Sequence, residues 1–476
     1  MNEPASMATE VSELTGELTS FDRAVATVIR WIPGRGKVAV SPRTLVAARG
    51  SAWTMAGFGA SQIFRLLGQL ILARILIAPE AFGLAALVTV FLSGLEMLSD
   101  LGINTDVVQS PRGDDPLFVN TAFLIQAGRG AMLCAVAAAF AYPFATFYHQ
   151  PLVRPMIFLA AASLGIRNLA SGSILTMTRH VQLGKVTMLN AGGDAAGLVV
   201  SVLWAVVSPT AWALVVGRVA SSVVYTVGSH IVAERPMSFE WDSNAARDIL
   251  SFGTGMFLSS ATYFLSTEAE RLVVGKFITV QELGCFSIAL AISWAPSRIV
   301  QRVVAQVFFP LIARASREDR ATAVKDYRKV RVVLFVLSLV LACGFILLGP
   351  LIVRLLVGSR YADAGWMLQL LGFRAALELF SAATTSLLFA VGVSKYSAIG
   401  NAAKATFLCV GLAIAFGKYG FREAIWVMAL SQLANYLPHF WGLRREFIAV
   451  TRTEITYFVL FLSCTAATAS LVSIAY

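Results

Sequence analysis

Charge is scarce in this chain: Asp, Glu, Lys and Arg make up 14% of its 476 residues, against 57% hydrophobic. With a mean hydropathy of +0.72, the polar surface is too small to cover a soluble globule, which excludes that class. Polar alternation is also missing. Runs such as Leu198 to Val207 and Val332 to Leu341 carry no alternating polar residues, which excludes the strands of a membrane barrel. Cysteine and histidine are few, five and four. Cys134, Cys285, Cys343, Cys409 and Cys464 all lie in apolar runs without a CxxC or a Cys/His cluster, so they read as small core residues. The scattered histidines offer no metal-ligand spacing and no Ser/His/Asp neighbourhood, so no metal, cofactor or catalytic triad is expected. A secretory signal is absent from the first fifty residues, because no apolar stretch follows a short basic start.

What is present is a succession of long apolar runs. A bilayer core of ~30 Å takes about 20 apolar residues per helix. Runs of that kind lie near 51–77, 84–106, 117–141, 153–177, 187–207, 210–232, 248–277, 284–309, 331–350, 365–392, 398–417, 421–441 and 455–475. The reading is an all-α integral membrane protein. Basic residues gather in alternate breaks, as cytoplasmic loops require. An inside N-terminus places Arg23, Arg30, Arg35, Lys37, Arg43 and Arg49 in the cytoplasm, followed by Arg112, Arg179, Lys185, Arg235 and Arg247. The cluster Arg314 to Arg331, Lys395, Arg444, Arg445 and Arg452 continue the bias, whereas the opposite breaks carry only Arg354, Arg360 and Lys418.

The net charge of +11 is therefore topological. No nucleic-acid partner is expected, since Glu318, Asp319 and Asp326 interleave the basic loop 311–331 as on a solvated face. Within residues 1–50, Phe21, Val25, Val28, Ile29 and Ile32 recur at helical spacing. That pattern fits an interfacial helix on anionic membrane lipid and equally a disordered cytoplasmic tail.

The polar stretch 233–247, with Pro236, Trp241 and Asp242, reads as a cytoplasmic linker. It divides an N-terminal six-helix lobe, 51–232, from a C-terminal one, 248–443, leaving 444–476 for an additional helix. Six spans per lobe start both on one side, so a repeat would be parallel, about a pseudo-twofold axis along the membrane normal. Such a repeat shows where the first and seventh runs end. Arg74 and Glu80 match Lys276 and Glu282 in spacing, while Gly83 and Gly284 differ by one position.

At this turn the pattern Leu72-Ala73-Arg74-x-Leu76-x-x-Pro79-Glu80-x-Phe82-Gly83 resembles the first external turn of the Wzx-type polysaccharide flippases of bacteria. That family shares a superfamily with the lipid II flippases and the MATE drug exporters. Leu98-x-Asp100-Leu101-Gly102-Ile103, followed by Val107-Val108-Gln109, is similar to the end of the family's second helix. The resemblance covers roughly 45–445. It implies about 12 core helices in two lobes around a cavity that opens alternately to either side of the bacterial cytoplasmic membrane. The cargo it implies is a polyprenyl-diphosphate-linked oligosaccharide bound for exopolysaccharide or lipopolysaccharide. A polysaccharide polymerase and export machinery are the further partners it admits. A single thirteenth helix departs from the family's twelve or fourteen and leaves the C-terminus outside.

A diphosphate at mid-membrane needs fixed cations, and arginine suits that task because it is always charged and grips phosphate oxygens with a planar fork. Arg65, Arg129, Arg271, Arg298, Arg302 and Arg374 are the candidate cavity cations, with Arg167 and Arg218 also inside spans. Each costs at least ~2.5 kcal/mol if left facing lipid at mid-bilayer. Arg298 and Arg302, four apart, share a helix face. Arg374 has Glu378 one turn on, so an internal salt bridge is an equal expectation, and Arg74 and Lys276 read as interfacial anchors. Glu96, Asp100, Asp194, Glu268 and Glu270 are the candidate coupling or charge-pairing carboxylates. Glu96 and Asp100 are expected to pair with arginines of the first or eighth span. Pro296 should kink the eighth span and act as a hinge.

Two other readings stay open. A MATE-like ion-coupled exporter of drugs or metabolites is disfavoured by so many membrane arginines. A polysaccharide polymerase or ligase would need a long external catalytic loop, and the longest break, Leu351 to Ala364, offers only Arg354, Arg360, Tyr361 and Asp363.

Overall fold

A computed structural model of the chain describes residues 59, 61–180 and 182–475. The expected interfacial helix at Phe21 to Ile32 and the start of the first run lie outside them. All regular elements among the described residues are helical. The chain runs through α1 (61–76, its last turn a π-helix over Leu72–Leu76), α2 (Pro79–Leu98), α3 (Ile103–Gln109), α4 (Pro116–Phe147), α5 (Val153–Asn168), α6 (Ser173–Arg179), α7 (Leu183–Val207) and α8 (Trp212–Ile231). It continues through α9 (Ser243–Thr267), α10 (Ala269–Phe277), α11 (Val280–Val303), α12 (Phe309–Glu318), α13 (Arg320–Leu356), α14 (Ala364–Ala390), α15 (Lys395–Lys418), α16 (Phe421–Glu446) and α17 (Ile448–Ala475). This is a multi-pass membrane protein. Among the described residues nine helical stretches are long and apolar enough to cross a membrane, ten when α5 and α6, bent by 61°, count as one.

The runs that fall short do so for physical reasons. The run 248–277 is broken at Glu268 into α9 and α10, and α16 carries Arg422, Glu423, Gln432, Asn435 and His439. Local chemistry sets the helix starts. Asp115, Asp242 and Asp319 each accept a backbone N–H from the first turns of α4, α9 and α13, and Thr279 with Glu282 closes a capping box on α11. Between α2 and α3, Gly102 sits at φ 63°, a left-handed turn that favours glycine, and its N–H is taken by Asp100 Oδ1 at 3.0 Å.

The same packing pairs recur in both halves of the chain. In the first half α1 meets α7, α2 meets α5, α4 meets α5, α5 meets α8, and α7 meets α8. In the second, α10 meets α15, α11 meets α14, α13 meets α14, α14 meets α16, and α15 meets α16. Helix α9 departs from this scheme. It packs on α2, α3 and α4 of the first half as well as on α15, and its Ala245 and Ile249 are buried with Ile103, Val107 and Phe118.

The buried apolar residues differ between the two ends of the molecule. At the end away from the basic loops one continuous core joins both halves, running from Ile77, Phe82, Ala145 and Tyr148 to Val274, Leu283, Phe286 and Tyr361. Towards the basic loops the core divides. One part, around Ile103, Val107 and Phe118, lies on the first half and takes in Ala245 and Ile249 at the start of α9, and another, around Ile312, Tyr327 and Leu443, belongs to the second. The halves thus share one apolar core at one end, and at the other their buried clusters are separate apart from α9, which packs on the first half.

At the basic end the linker is pinned to the first half. Arg112 bridges Asp242 at 2.7 Å and Asp115 at 3.1 Å, and its hydrogen bond holds the Asp242 carboxyl below the ordinary carboxylate range. Arg179 donates to the carbonyls of Val107, Val108 and Ser110 and to Asp114. The arginines that mark the topology here also build the loops.

Helix α17 is tied to the second half by a fully buried network. Arg331 Nε lies 2.6 Å from Glu454 Oε1, Tyr327 and Tyr436 donate their hydroxyls to the same carboxylate, and Arg331 Nη1 donates to the Phe380 carbonyl at 2.9 Å. The additional helix is therefore anchored on the second half.

Candidate functional site

Both halves carry arginines inside their apolar helices, and the two halves hold them differently. In the first half they pair across helices. Arg65 of α1 lies 3.2 Å from Asp194 of α7, with its side chain 60% exposed. Arg218 of α8 lies 3.6 Å from Glu96 of α2. Arg167 of α5 donates to Asn190 Oδ1 at 3.0 Å and stacks 4.0 Å over the Tyr225 ring. These partners correct the expectation that Glu96 and Asp100 would answer arginines of the first or eighth span: Glu96 is held by α8, and Asp100 accepts from Gly102 within its own turn. Arg129 is engaged at a helix end. It donates to the Glu96 carbonyl at 2.7 Å and to Ser99 Oγ at 3.1 Å, satisfying the open end of α2, which has no further turn to do so.

In the second half the candidate residues converge on one ring. Trp294 of α11, two residues before Pro296, has the guanidinium carbons of Arg298 at 4.8 Å, Arg271 at 5.0 Å and Arg374 at 5.8 Å from its ring centre. An indole face attracts such cations electrostatically. Arg271 is braced by Glu268 at 3.0 Å, both partly buried. Arg374 pairs with Glu270 at 2.7 Å, both at 2% exposure or less, so its partner comes from α10 rather than from Glu378 one turn on. Glu270 Oε2, Arg271 Nε and Arg374 Nε are buried with no hydrogen-bond partner among the described residues.

Exposure separates these cations by what they can do. Arg65, Arg298 and Arg302 are exposed on their helices and can meet a ligand. Arg374 is occupied in the interior. Pro296 lies within α11 without ending it, and the π-helical turn Val304–Phe308 follows directly; such turns mark places where a helix can re-set its register. Lys404 of α15 went unremarked in the sequence. It is buried within electrostatic reach of Arg374, Glu270 and Glu378, and its signal was available as a lone Lys inside the apolar run 398–417. Lys276 donates to the Phe147 carbonyl and so joins the halves rather than lipid.

Membrane-embedded cations outnumber carboxylates in each half. Arg65, Arg129, Arg167 and Arg218 face Glu96, Asp100 and Asp194, while Arg271, Arg298, Arg302, Arg374 and Lys404 face Glu268, Glu270 and Glu378. The excess is what an anionic ligand would neutralise. Of the residues named for the break 351–364, Tyr361 is buried with its hydroxyl 3.0 Å from the Ile77 carbonyl, whereas Arg354, Arg360 and Asp363 are exposed.

Comparison with known proteins agrees with this architecture. The chain is 25% identical over 307 residues to the succinoglycan biosynthesis transport protein ExoT of Rhizobium meliloti (strain 1021), covering 63% of this chain and 60% of that one. It is 23% identical over 312 residues to the lipopolysaccharide biosynthesis protein WzxC of Escherichia coli (strain K12), covering 64% and 62%. The chain thus spans about three fifths of the length of these relatives. Among solved structures, the lipid II flippase MurJ in an inward closed conformation superposes with a TM-score of 0.65 at 13% identity, over 89% of this chain and 97% of that one. An inward-facing multidrug resistance MATE transporter does so with 0.61 at 13% identity, over 83% and 96%. These likenesses are of fold. The family model described as "Polysaccharide biosynthesis protein" matches residues 71–365, more than half of the sequence, and the chain belongs to that family.

Proposed function

We propose that this protein is a flippase that carries a polyprenyl-diphosphate-linked oligosaccharide from the inner to the outer leaflet of the bacterial cytoplasmic membrane, with its N-terminus inside. The observation that carries the reading is the excess of arginines over carboxylates inside both halves, beside an apolar core that joins the halves away from the basic loops. A lipid diphosphate entering from the basic, cytoplasmic side meets Arg65 and Arg298 as exposed forks for its oxygens. The glycan stays in the water-filled cleft and the polyprenyl tail in lipid. No bond is made or broken, and the work is substitution of protein donors for water around the diphosphate.

The names of the relatives, a succinoglycan biosynthesis transport protein and a lipopolysaccharide biosynthesis protein, and the fold shared with a lipid II flippase, support this cargo class. The recurring helix pairs support two six-helix lobes over 51–232 and 248–443, joined by a linker at 233–247, with 444–476 as an added helix. Their relation by a pseudo-twofold axis along the membrane normal would let one lobe rock against the other to expose the site outside. A polysaccharide polymerase and export machinery would take over the flipped repeat unit.

The test is a deletion strain complemented with variants. Lipid-linked repeat units should accumulate on the inner leaflet in the deletion, and wild type should clear them. Arg65→Ala, or Arg298→Ala with Arg302→Ala, should leave the units accumulated while membrane-inserted protein stays at wild-type level. Full export by both variants would remove these arginines from transport. Accumulation on the outer leaflet would point to polymerisation instead.

A further inference from the structure

The sealed end is built from two equivalent halves. Counted from the first residue of the helix, Pro79 for α2 and Val280 for α11, Gly83 and Gly284 are both the fifth residue. The offset between them in the sequence alignment therefore belongs to the charged residues, and α1 alone carries the π-helical turn, Leu72–Leu76, ahead of this point. Each glycine is pressed on the first residue of the other helix. A Cβ on Gly83 would stand 2.0 Å from the Val280 carbonyl oxygen, and one on Gly284 would stand 1.8 Å from the Pro79 carbonyl oxygen. Neither distance admits a side chain against backbone, so the two helices can touch only because both positions are glycine.

A second pair of contacts follows the same exchange. Tyr148, after α4, donates to the Leu272 carbonyl of α10 at 2.8 Å. Tyr361, after α13, donates to the Ile77 carbonyl after α1 at 3.0 Å. Each half thus offers one buried tyrosine to a backbone carbonyl of the other half, Leu272 inside α10 and Ile77 just past α1. Both tyrosines lie in the single core that joins the halves. Neutral contacts of this type, backbone against glycine and hydroxyl against carbonyl, can part and reform without stranding a charge.

We propose that Gly83, Gly284, Tyr148 and Tyr361 are the outer gate of the transporter, a two-fold clasp that holds the lobes together away from the basic loops and must open once per cycle. The assignment rests on the alternating-access reading above. Cys285, next to Gly284 and buried, is a reporter already in place, and replacing Cys134, Cys343, Cys409 and Cys464 by alanine leaves it as the sole thiol of the sequence.

A membrane-impermeant maleimide is applied to intact cells and, separately, to inverted membrane vesicles. Cys285 should label slowly from outside in the parent. Tyr148→Phe and Tyr361→Phe should each speed labelling about 2- to 10-fold, the range set by one lost hydrogen bond, and the double variant more. Gly83→Val and Gly284→Val should hold the clasp open, giving the fastest outside labelling with little export. Outside labelling unchanged in the tyrosine variants, which keep the fold's packing, would overturn the gate. So would acceleration seen only from the inverted side. Because labelling needs no cargo, a protein that gates as described but clears no lipid-linked glycan would refute the flippase reading alone.

Discussion

The two halves share a packing scheme but spend their charges differently. In the first half Arg65 and Arg218 pair with Asp194 and Glu96 while remaining partly exposed. In the second, Arg374 and Glu270 are sealed together in the interior, and Arg331 and Glu454 are sealed again where α17 docks. A pair within reach of water can release its arginine to a ligand at little cost, because solvent compensates the carboxylate left behind. A buried pair cannot, because either member alone is an uncompensated charge. On the proposed function, the exposed arginines are the candidates for ligand contact and the buried ones a source of rigidity.

The largest effect that would test this division is Arg374→Ala. Stranding Glu270 should destabilise the protein by ~3–5 kcal/mol, read as a fall in thermal unfolding temperature in nanodiscs and in membrane-inserted protein. Arg374→Met with Glu270→Leu should recover most of that loss, because removing both charges leaves none unpaired. If Arg374→Ala is as stable as wild type, the buried pair is no keystone and the contrast between the halves fails.

Glu454→Ala should come next. It strands Arg331 and frees the hydroxyls of Tyr327 and Tyr436, which both donate to this carboxylate, but it loosens one peripheral helix rather than the lobe. The expected outcome is protease sensitivity confined to residues after about 447, with the remaining helices protected. Uniform sensitivity would mean that α17 is needed to fold the second half at all. Arg65→Ala should be smaller again, within about 1 kcal/mol for so exposed a pair, and its loss should appear in export alone.

Much of this was legible in the sequence, and the remainder was hidden for a definable reason. Apolar runs report burial in lipid, and every expected run within the described residues is occupied by helix. The alternation of basic breaks likewise marked Arg112 and Arg179. Partner identity was not legible, because it depends on which helix faces meet: Arg374 found Glu270 from α10 rather than Glu378 on its own helix, and Arg129 found the end of α2. The aromatic hub at Trp294 could be named but not recognised, since three arginines reach it from three helices. The glycine offset misled for a local reason. Charges invite alignment by eye, whereas packing is registered from the helix start.

The smallest effect should appear at the linker, where the charges meet water. Asp242 is held below the ordinary carboxylate range chiefly by the hydrogen bond from Arg112. Asp114 is likewise lowered; burial opposes the shift, and the hydrogen bonds from His180 and Arg179 outweigh it. A carboxylate with a depressed folded value contributes stability that is fully present above its unfolded value, about 3.9, and is lost as pH falls through the folded one. Hydrogen exchange over residues 235–242 should therefore be flat from neutral pH to about 4, after correction for intrinsic rates, and rise below it. Asp242→Asn should raise exchange at neutral pH and flatten the acid response, with the sealed end unaffected. Neutral-pH protection unchanged in Asp242→Asn would show that Asn120, which bonds Ser238 and Glu240, pins the linker without help from Arg112.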